Sequence, residues 1–350
     1  MQHEIRILVA ELDGAGSFGF ALMKTEELDE RLLHQLRELN ISPGEETTLD
    51  TGALFRGLPI KLIIAENREE AYRLIPTADF LITKGLPLRS EHLTSAHSLK
   101  FIQFYGQDHR EVDFVAIKES GIPFDIYARL AHSAVAEQAL LLMLATMRNL
   151  RSGEMVVRKA ENPYELKYSR YMFNWASLPS IHLLRGSTLG IIGMGEIGIQ
   201  LAHLAAALQM NIIYTQRTRH DAETEQRFSM TFHSLEEVLQ LSDVISIHLP
   251  LVRETVKLIS HREIGMMKPN AVLINTSRSR IVDEGALYTA LTTNKLKGAG
   301  LDVFDIEPVK PGHMWEGVDN VILSPHVGGA PISCHLDDVK YAIRNCLDHL

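Results

Sequence analysis

From Thr188 onward the sequence repeats one pattern, in which a short apolar segment is followed by a helical or connecting segment. The apolar segments are predicted strands, at 188–193, 211–215, 243–247, 271–275, 298–302 and 320–323. Strands that alternate with helices in this way are typical of parallel sheets with helices on both faces. The pattern therefore predicts a doubly wound α/β sheet in this part of the 350-residue chain.

The first 127 residues also alternate short apolar runs with polar helical segments. Strands are predicted at Ile5–Val9, Lys61–Ile64, Phe80–Thr83 and Leu99–Phe104, and helices at Glu26–Leu39 and Glu69–Leu74. We expect residues 1–127 to form a smaller parallel α/β domain, to which a helical tail at 331–350 returns. Residues 128–330 would then form the second domain.

An apolar helix is predicted over Ser133–Asn149, and a stretch of weak periodicity follows it at 151–187. The aromatic residues of this stretch are Tyr164, Tyr168, Tyr171, Phe173 and Trp175. A loop of this length inside a compact protein usually serves function or an interface. The helix and stretch together offer more apolar surface than one domain edge needs, so we expect a homodimer.

Charge and cysteine content narrow the class of protein. A formal net charge of −9 without a long basic cluster argues against a nucleic-acid partner. The only cysteines, Cys334 and Cys346, suggest neither a disulfide framework nor a metal site, which favours a reducing cytoplasmic compartment. The most apolar run, Ala139–Ala145, is far short of a membrane span, and the first residues read as a strand rather than a signal peptide.

A glycine fingerprint follows the strand predicted at 188–193. Gly193, Gly195 and Gly198 form G-x-G-x-x-G at the start of a helix. The three glycines suit a tight turn, a close approach of backbone to a pyrophosphate, and close helix–strand packing. The helix then presents its free N–H groups, at Glu196 and Ile197, to the phosphates. This context predicts a dinucleotide cofactor.

The end of the next strand predicts which dinucleotide binds. An acidic residue about 20 positions after the first glycine would bind the ribose hydroxyls of NAD. Gln216 stands there instead, followed by Arg217, Thr218 and Arg219. An arginine at this corner accommodates a 2′-phosphate, so we expect NADP, with NAD as the alternative if the arginines are merely a solvated turn.

Four segments of the second half occur in order at close spacing: SDVISIHLPLVRET, VLINTSRSRIVDEGAL, AGLDVFDIEP and VILSPHVGG. They resemble the D-isomer-specific 2-hydroxyacid dehydrogenase family. The resemblance covers about residues 100–330 and is only architectural before them. It implies a Rossmann-type dinucleotide-binding domain inserted into a smaller, flavodoxin-like substrate domain, with the active site in the cleft and dimers formed by the nucleotide domains.

The resemblance also implies the catalytic residues, which are Arg278, Glu307 and His326. Their chemistry suits reduction of a ketone, because a histidine near neutrality can protonate the forming alkoxide. A carboxylate beside it favours the imidazolium and fixes the ring tautomer. The planar fork of an arginine binds a carboxylate and polarises a nearby carbonyl.

Further site residues follow from the same resemblance. Those expected along the cofactor are His248, Pro250, Thr276, Ser277 and Asp302, and those expected at the substrate carboxylate are Tyr105, Gly106 and Gln107. The chain departs from the family pattern at Asp108 and Ser279, where the family has glycine, and at Ala131–His132, where it often has asparagine. Ser279 could narrow the pocket or shift Arg278, and His132 is expected near a helix start more than in the pocket.

The leading hypothesis is an enzyme that transfers a hydride between NAD(P)H and a small 2-keto acid of the glyoxylate or hydroxypyruvate type. Two alternatives stay open: the same scaffold acting on phosphite, and a dinucleotide-sensing binding protein like the related corepressors. Formate oxidation is less expected, because those relatives have glutamine at the position of Glu307.

Overall fold

The computed structural model describes residues 4–10, 55, 57–65, 67–84, 86–106, 111–127, 129–159, 173–329 and 332–350. The chain divides into two compact units. The first contains the described parts of Met1–Ala131 and Pro331–Leu350, and the second those of His132–Ala330. The predicted helix Glu26–Leu39, the pair Gln107–Asp108 and the tyrosines at 164, 168 and 171 lie outside the described residues.

The first unit is built on a five-stranded parallel sheet. Its strands are β1 (Ile5–Ala10), β2 (Ile60–Ile64), β3 (Phe80–Thr83), β4 (Phe101–Tyr105) and β5 (Phe124–Tyr127). Its helices are α1 (Arg68–Leu74), α2 (Ser90–Thr94), α3 (Phe114–Ser120) and the C-terminal helix Ile332–Leu347, with a 3₁₀ turn at Ile75–Thr77. The strand order β2-β1-β3-β4-β5 is that of flavodoxin-like sheets.

Apolar side chains cover both faces of this sheet. Leu8, Leu81 and Phe104 lie in one buried cluster with Ala71 of α1 and Ile117 of α3. On the other face, buried residues of the C-terminal helix, Val339, Ala342, Ile343 and Cys346, pack with Ile7, Val9 and Phe80. The helix predicted after Pro331 is thus observed, and it closes the core of the first unit.

The second unit contains a seven-stranded parallel sheet. Its strands are β6 (Thr188–Ile192), β7 (Asn211–Thr215), β8 (Met230–Phe232), β9 (Val244–Ile247), β10 (Val272–Asn275), β11 (Gly298–Leu301) and β12 (Val321–Leu323). The order is β12-β11-β10-β9-β6-β7-β8. Counted from β6, this is the 3-2-1-4-5-6 order of doubly wound dinucleotide folds with one further strand. The predicted fold class is confirmed.

Helices flank the strands of the second unit. They are α4 (Leu130–Met147), α5 (Leu150–Lys159), α6 (Glu196–Ala207), α7 (Ala222–Arg227), α8 (Leu235–Leu241), α9 (His261–Met266) and α10 (Glu284–Thr292), with 3₁₀ turns at Arg253–Thr255 and Ser279–Ile281. The carboxyl ends of β6 and β9 are neighbours from which the chain leaves in opposite directions. Ligands of open α/β sheets bind at such a switch point.

Three elements correct the sequence-based prediction. Strands β5 and β8, of four and three residues, were not predicted. The predicted long loop is wrong at its start, because 150–159 is the helix α5. Gly153 lies within this helix, and Val156 is its one buried residue.

Helix α4 has 18 residues and a mean hydropathy of 1.4, so by length and composition alone it could cross a membrane. Its buried residues Ala136, Ala139, Leu142 and Met143 pack in one cluster with strand residues of the second unit. A Cβ added to Gly300 would lie 2.7 Å from Cβ of Leu142, which shows how closely α4 approaches the sheet. Core helices of globular proteins have the same length and hydropathy.

Candidate active site

The glycine loop after β6 has the geometry that its sequence predicts. Gly193 has φ +98°, and a Cβ there would lie 2.5 Å from the carbonyl oxygen of His248. A Cβ on Gly198 would lie 2.5 Å from the carbonyl oxygen of Gly193, so the helix start can pack closely only with glycine. Gly195 faces open space and begins α6 without a side-chain cap. The first-turn amides, at Glu196 and Ile197, are therefore available to an anion.

Unsatisfied polar atoms surround this loop. Of seven buried side-chain polar atoms without a hydrogen bond among the described residues, three belong to predicted cofactor residues: Glu196 Oε1, His248 Nδ1 and Thr276 Oγ1. Burial lowers the pKa of His248 to about 4, so its ring is neutral at physiological pH. Its Nε2 lies 2.8 Å from the hydroxyl of Ser246, which leaves Nδ1 for a ligand. These atoms and the open glycine cradle fit a polar dinucleotide.

Glu196 of this loop is paired with a residue of α4. Its Oε2 lies 2.6 Å from Nδ1 of His132, which comes from the first turn of α4. His132 lies near a helix start, as predicted. The sequence did not suggest its pairing with Glu196. An imidazolium there would balance a carboxylate that otherwise repels the phosphates of a cofactor.

At the end of β7 the two predicted arginines differ. Arg219 donates from Nε and a terminal nitrogen to the two carboxylate oxygens of Glu225, at 2.8 and 2.6 Å. Arg217 is exposed and has no ion pair or hydrogen bond from its side chain within the described ranges. Gln216 donates to the carbonyl of Thr218 at 2.6 Å. Arg217 is therefore the cation that is free to meet a ligand at this corner, and Arg219 is engaged by a protein carboxylate.

His326 and Glu307 form the expected pair. Nδ1 of His326 lies 2.6 Å from Oε2 of Glu307, and Oε1 of Glu307 accepts from the backbone N–H of Phe304 at 2.8 Å. Partial burial acts to raise the pKa of Glu307, but these hydrogen bonds and the positive charges of His326 and Arg278 hold it below its usual range. With Nδ1 occupied, Nε2 of His326 is the nitrogen that can exchange a proton with a ligand.

A pocket of about 290 Å³ adjoins this pair. Its lining is mainly apolar, from Phe304, Pro308, Val309, Leu323 and Pro325.

Asp302 holds the segment that carries His326. It is 1% exposed, and its Oδ1 accepts from the Ser324 hydroxyl at 2.6 Å and from Val327 N at 3.0 Å. Its Oδ2 accepts from Gly328 N at 2.8 Å. The resemblance implied a contact between Asp302 and the nicotinamide, whereas every hydrogen bond described for the Asp302 carboxylate goes to this segment. Gln138 of α4, which the sequence reading missed, donates to the Ser324 hydroxyl at 2.8 Å.

The turn after β10 presents Arg278. Asn275 organises it, because its Oδ1 accepts from Ser277 N at 3.1 Å and its Nδ2 donates to the Arg278 carbonyl at 3.0 Å. The Arg278 side chain is exposed. Ser279 is 9% exposed, and its hydroxyl donates to Oδ1 of Asp305 at 2.8 Å. The side chain of Ser279 thus links the Arg278 turn, by a hydrogen bond, to the segment that holds Glu307. The sequence did not predict this link.

The predicted carboxylate loop of the first unit begins after β4. Tyr105 is 1% exposed, and its hydroxyl donates to Oδ2 of Asp338 at 3.3 Å, so its side chain is a support beneath the loop. Gly106 has φ +87°, and its N–H donates to the Tyr127 carbonyl at 2.8 Å. Gln107 lies outside the described residues.

Arg129, a residue that the sequence reading missed, is 6% exposed and lies against Gly106. The sequence carried no signal for it, since a lone arginine after a strand is usually a surface residue.

The chain is similar to known proteins in both sequence and structure. Residues 140–328 match the model of the D-isomer specific 2-hydroxyacid dehydrogenase, NAD binding domain. A glyoxylate reductase of Thermococcus litoralis is 37% identical over 241 residues, which is 69% of this chain and 70% of that protein. The glyoxylate reductase of Pyrococcus furiosus is 32% identical over 284 residues, 80% of this chain and 82% of that one. The holo form of Rhodotorula graminis D-mandelate dehydrogenase superposes with a TM-score of 0.60 at 24% identity, over 99% of this chain and 94% of that one.

These similarities agree with the geometry of the site. They support NAD(P)H-linked reduction of 2-keto acids, and they do not favour a dinucleotide sensor or an enzyme of phosphite. The cofactor is a nicotinamide dinucleotide. The match over 140–328, together with relatives above 30% identity across more than two thirds of the chain, shows that this protein belongs to the D-isomer-specific 2-hydroxyacid dehydrogenase family.

Proposed function

We propose that the protein reduces a small 2-keto acid of the glyoxylate or hydroxypyruvate type, with His326 as the proton donor. The observation that carries this proposal is the 2.6 Å hydrogen bond between Nδ1 of His326 and Glu307. The carboxylate fixes the ring so that Nε2 can protonate the alkoxide oxygen, and it favours the charged ring that must give the proton. The dinucleotide, when bound, supplies the hydride.

Arg278 is proposed to bind the substrate carboxylate and polarise the carbonyl. Its side chain is exposed, and its charge is close enough to contribute to the lowered pKa of Glu307. A guanidinium matches a carboxylate with two parallel hydrogen bonds, and it stays charged at any working pH.

The cofactor is proposed to lie along the carboxyl edge of the second sheet, so that residues 128–330 are the dinucleotide-binding domain. The loop Gly193–Gly198 would take the pyrophosphate, and the unpartnered atoms of His248 and Thr276 would face the rest of the cofactor. Pro250, Ser277 and the segment held by Asp302 complete this edge. Residues 1–127 and 331–350 would form the substrate domain.

A steady-state screen tests the substrate. It compares glyoxylate, hydroxypyruvate, pyruvate, longer branched 2-keto acids and phosphite, each with NADPH and NADH. Branched acids are included because the pocket of about 290 Å³ beside Glu307 and His326 could admit a larger apolar group. Highest efficiency with glyoxylate or hydroxypyruvate is expected. Turnover confined to phosphite, or absent with every 2-keto acid, would overturn the proposal.

NADP is the proposed cofactor. Gln216 places no negative charge against a 2′-phosphate, and Arg217 is free to contact it, while Arg219 is bound by Glu225. One charge-assisted contact is worth about 1.5–3 kcal/mol, so we expect at least about a tenfold preference for NADPH. The double change Gln216→Asp with Arg217→Ala should reverse the preference. Arg262→Ala, at an exposed arginine of α9 that pairs with Glu236, is the control. Equal efficiency with both cofactors in the unmodified enzyme would contradict the proposal.

A homodimer is also proposed. Large apolar side chains are exposed along α4, α5 and the following segment: Leu141 53%, Leu150 55%, Val157 70%, Phe173 101% and Trp175 54%. Exposed apolar surface on this scale usually marks an interface. Light scattering of the unmodified protein should give twice the chain mass, and Val157→Glu should weaken the association. A monomer at micromolar concentration would refute it. We propose the cytoplasm as the compartment, because Cys334 and Cys346 suggest no disulfide framework.

A further inference from the structure

We propose that Arg129 is a second binding group for the carboxylate of the substrate, at the carboxyl edge of the five-stranded sheet. This inference rests on the proposed function for the identity of the anion. Arg129 is 6% exposed, and buried arginines are rare unless a partner compensates them. What its guanidinium does in the fold therefore needs an explanation.

The position of Arg129 is that of a ligand-binding residue. It follows β5 by two residues, and β5 pairs in parallel with β4, with Tyr127 opposite Tyr105. Arg129 and Gly106 thus leave neighbouring strands at the same carboxyl edge, where open α/β sheets bind ligands. A Cβ added to Gly106 would lie 3.4 Å from Cδ of Arg129, so the side chain lies directly against the first described residue after β4.

The hydrogen bonds around Arg129 are incomplete. Its Nε is buried without a hydrogen-bond partner, and none of its N–H groups donates to a residue in the part of the chain that the structure describes. Its charged neighbour is Asp338, whose Oδ2 lies 3.9 Å from Nε, beyond hydrogen-bonding distance. Asp338 instead accepts from Leu130 N at 2.8 Å and from the Tyr105 hydroxyl at 3.3 Å. Charge balance is thus present, but no acceptor among the described residues takes a hydrogen bond from the guanidinium.

The side chain is also held rigidly. Its guanidinium carbon lies 4.7 Å from the centre of the Tyr105 ring, and that ring is fixed by the bond to Asp338. A stacked, preorganised fork loses little entropy when it binds a planar carboxylate. The N–H of Gly106 is already used by the Tyr127 carbonyl, so Arg129 supplies donors that this glycine does not.

Two substitutions separate ligand binding from a purely structural charge pair. Arg129→Lys keeps a positive charge near Asp338 but loses the planar fork, and Arg129→Met removes both. If Arg129 binds the substrate carboxylate, KM for the best 2-keto acid should rise about tenfold to a hundredfold in Arg129→Met, with a smaller rise in Arg129→Lys. KM for NADPH should stay within about a factor of two in both. Arg73→Met, an exposed arginine of the same unit, is the matched control.

A structural role predicts a different result. If Arg129 only balances Asp338, Arg129→Lys should keep the wild-type KM, and both Arg129→Met and Asp338→Asn should mainly lower the melting temperature. An unchanged KM for the 2-keto acid in Arg129→Lys, or an equal rise in KM for NADPH, would overturn the proposal. If Arg129→Met does not fold, KM for the 2-keto acid in Arg129→Lys decides between the ligand-binding and the structural role.

A binding measurement that needs no catalysis tests the role of Arg129 independently of the proposed reaction. Oxalate, a small planar dicarboxylate, is added to the unmodified enzyme and to Arg129→Lys, and the melting temperature is recorded. Stabilisation that is lost in the variant supports Arg129 as an anion-binding group, even if no 2-keto acid is turned over and the proposed function fails. Equal stabilisation of both proteins by oxalate would refute the role of Arg129.

Discussion

Replacing Glu307 by glutamine tests the proposed proton transfer most directly. The substitution keeps the size of the side chain and an oxygen that can accept from Phe304, but it removes the negative charge 2.6 Å from His326. Reduction needs His326 protonated, and oxidation of the hydroxy acid needs it neutral. Without the carboxylate the charged ring is less favoured, so the pH above which reduction declines should fall, and oxidation should persist to lower pH.

The size of the change follows from the exposure of the pair. A hydrogen bond to a charged group is worth about 1.5–3 kcal/mol. The side chains of His326 and Glu307 are 46% and 35% exposed, so solvent screens part of the interaction. We therefore expect the lower end of that range, which corresponds to about a tenfold loss of kcat/KM for reduction at neutral pH.

The assay is kcat/KM for reduction and for oxidation between about pH 5 and pH 9, because this interval spans the titration of an ordinary histidine. Glu237→Gln is the control, since Glu237 lies 3.6 Å from His233 in another His–Glu pair, on α8. The pH profiles of reduction and of oxidation should both shift to lower pH in Glu307→Gln, and neither should shift in the control. If the profiles of Glu307→Gln kept their pH dependence and lost only amplitude, the proposal that Glu307 supports His326 as the proton donor would be refuted.

Three other substitutions and the acid stability of the protein give further tests. Arg278→Lys should lower kcat/KM by at least about a hundredfold and leave KM for the cofactor nearly unchanged, because the planar fork is lost; retained efficiency would exclude Arg278 as the substrate clamp. Ser279→Ala, which breaks the 2.8 Å bond to Asp305, should lower kcat by about tenfold and the melting temperature only slightly, and wild-type kinetics would contradict this link. Gly195→Ala should fold normally but bind cofactor poorly, since its Cβ would meet no protein atom within 4 Å and would occupy the ligand's space; normal cofactor affinity would argue against the cradle. The Lys257 contact lowers the pKa of Asp283, so its stabilising contribution is present above the unfolded pKa of about 4 and lost as pH falls through the folded value. Thermal unfolding of Asp283→Asn should accordingly depend less on acid than that of the unmodified protein.

Most of the fold could be predicted from the sequence because its strands are marked by short apolar segments that alternate regularly with helical segments. The predicted strand 211–215 coincides with β7, and the five other predicted strands of the second sheet differ from the observed ones by one residue at an end. The reasons given for Gly193 and Gly198 are confirmed by the contacts that a Cβ would make there.

The missed elements lacked such patterns. Strand β8 has only three residues, and it lies at the sheet edge, where one neighbour suffices and no long apolar run is required. Strand β5, FDIY, is also an edge strand, with no fully buried residue. Helix α5 has only ten residues, and Gly153, between the helically spaced Leu150 and Val157, lowers the helix propensity of the segment.

The residues that support the site could not be predicted from the sequence, for a different reason. Ser279 and Asp305 are 26 residues apart, and Arg129 and Asp338 are 209 apart. Ser279 and Asp305 meet because parallel strands bring their carboxyl ends to one edge, and Arg129 meets Asp338 because the C-terminal helix returns to the first sheet. A motif gives no sign of which side chains meet in this way. The resemblance located Arg278, Glu307 and His326, but it could not assign Arg129 or Asn275 a partner.

The backbone of His326 shows why these supports matter to the chemistry. Its φ of +56° lies in the left-handed region, which costs a non-glycine residue about 1–2 kcal/mol. Asp302 accepts three hydrogen bonds from the surrounding segment, two of them from the backbone N–H groups of Val327 and Gly328, directly after His326. Each such bond to a charged group is worth about 1.5–3 kcal/mol, so together they outweigh the strain. The buried carboxylate thereby holds the imidazole against Glu307 in a conformation that the chain would not adopt by itself, and this fixed orientation is what makes Nε2 the nitrogen that can donate a proton.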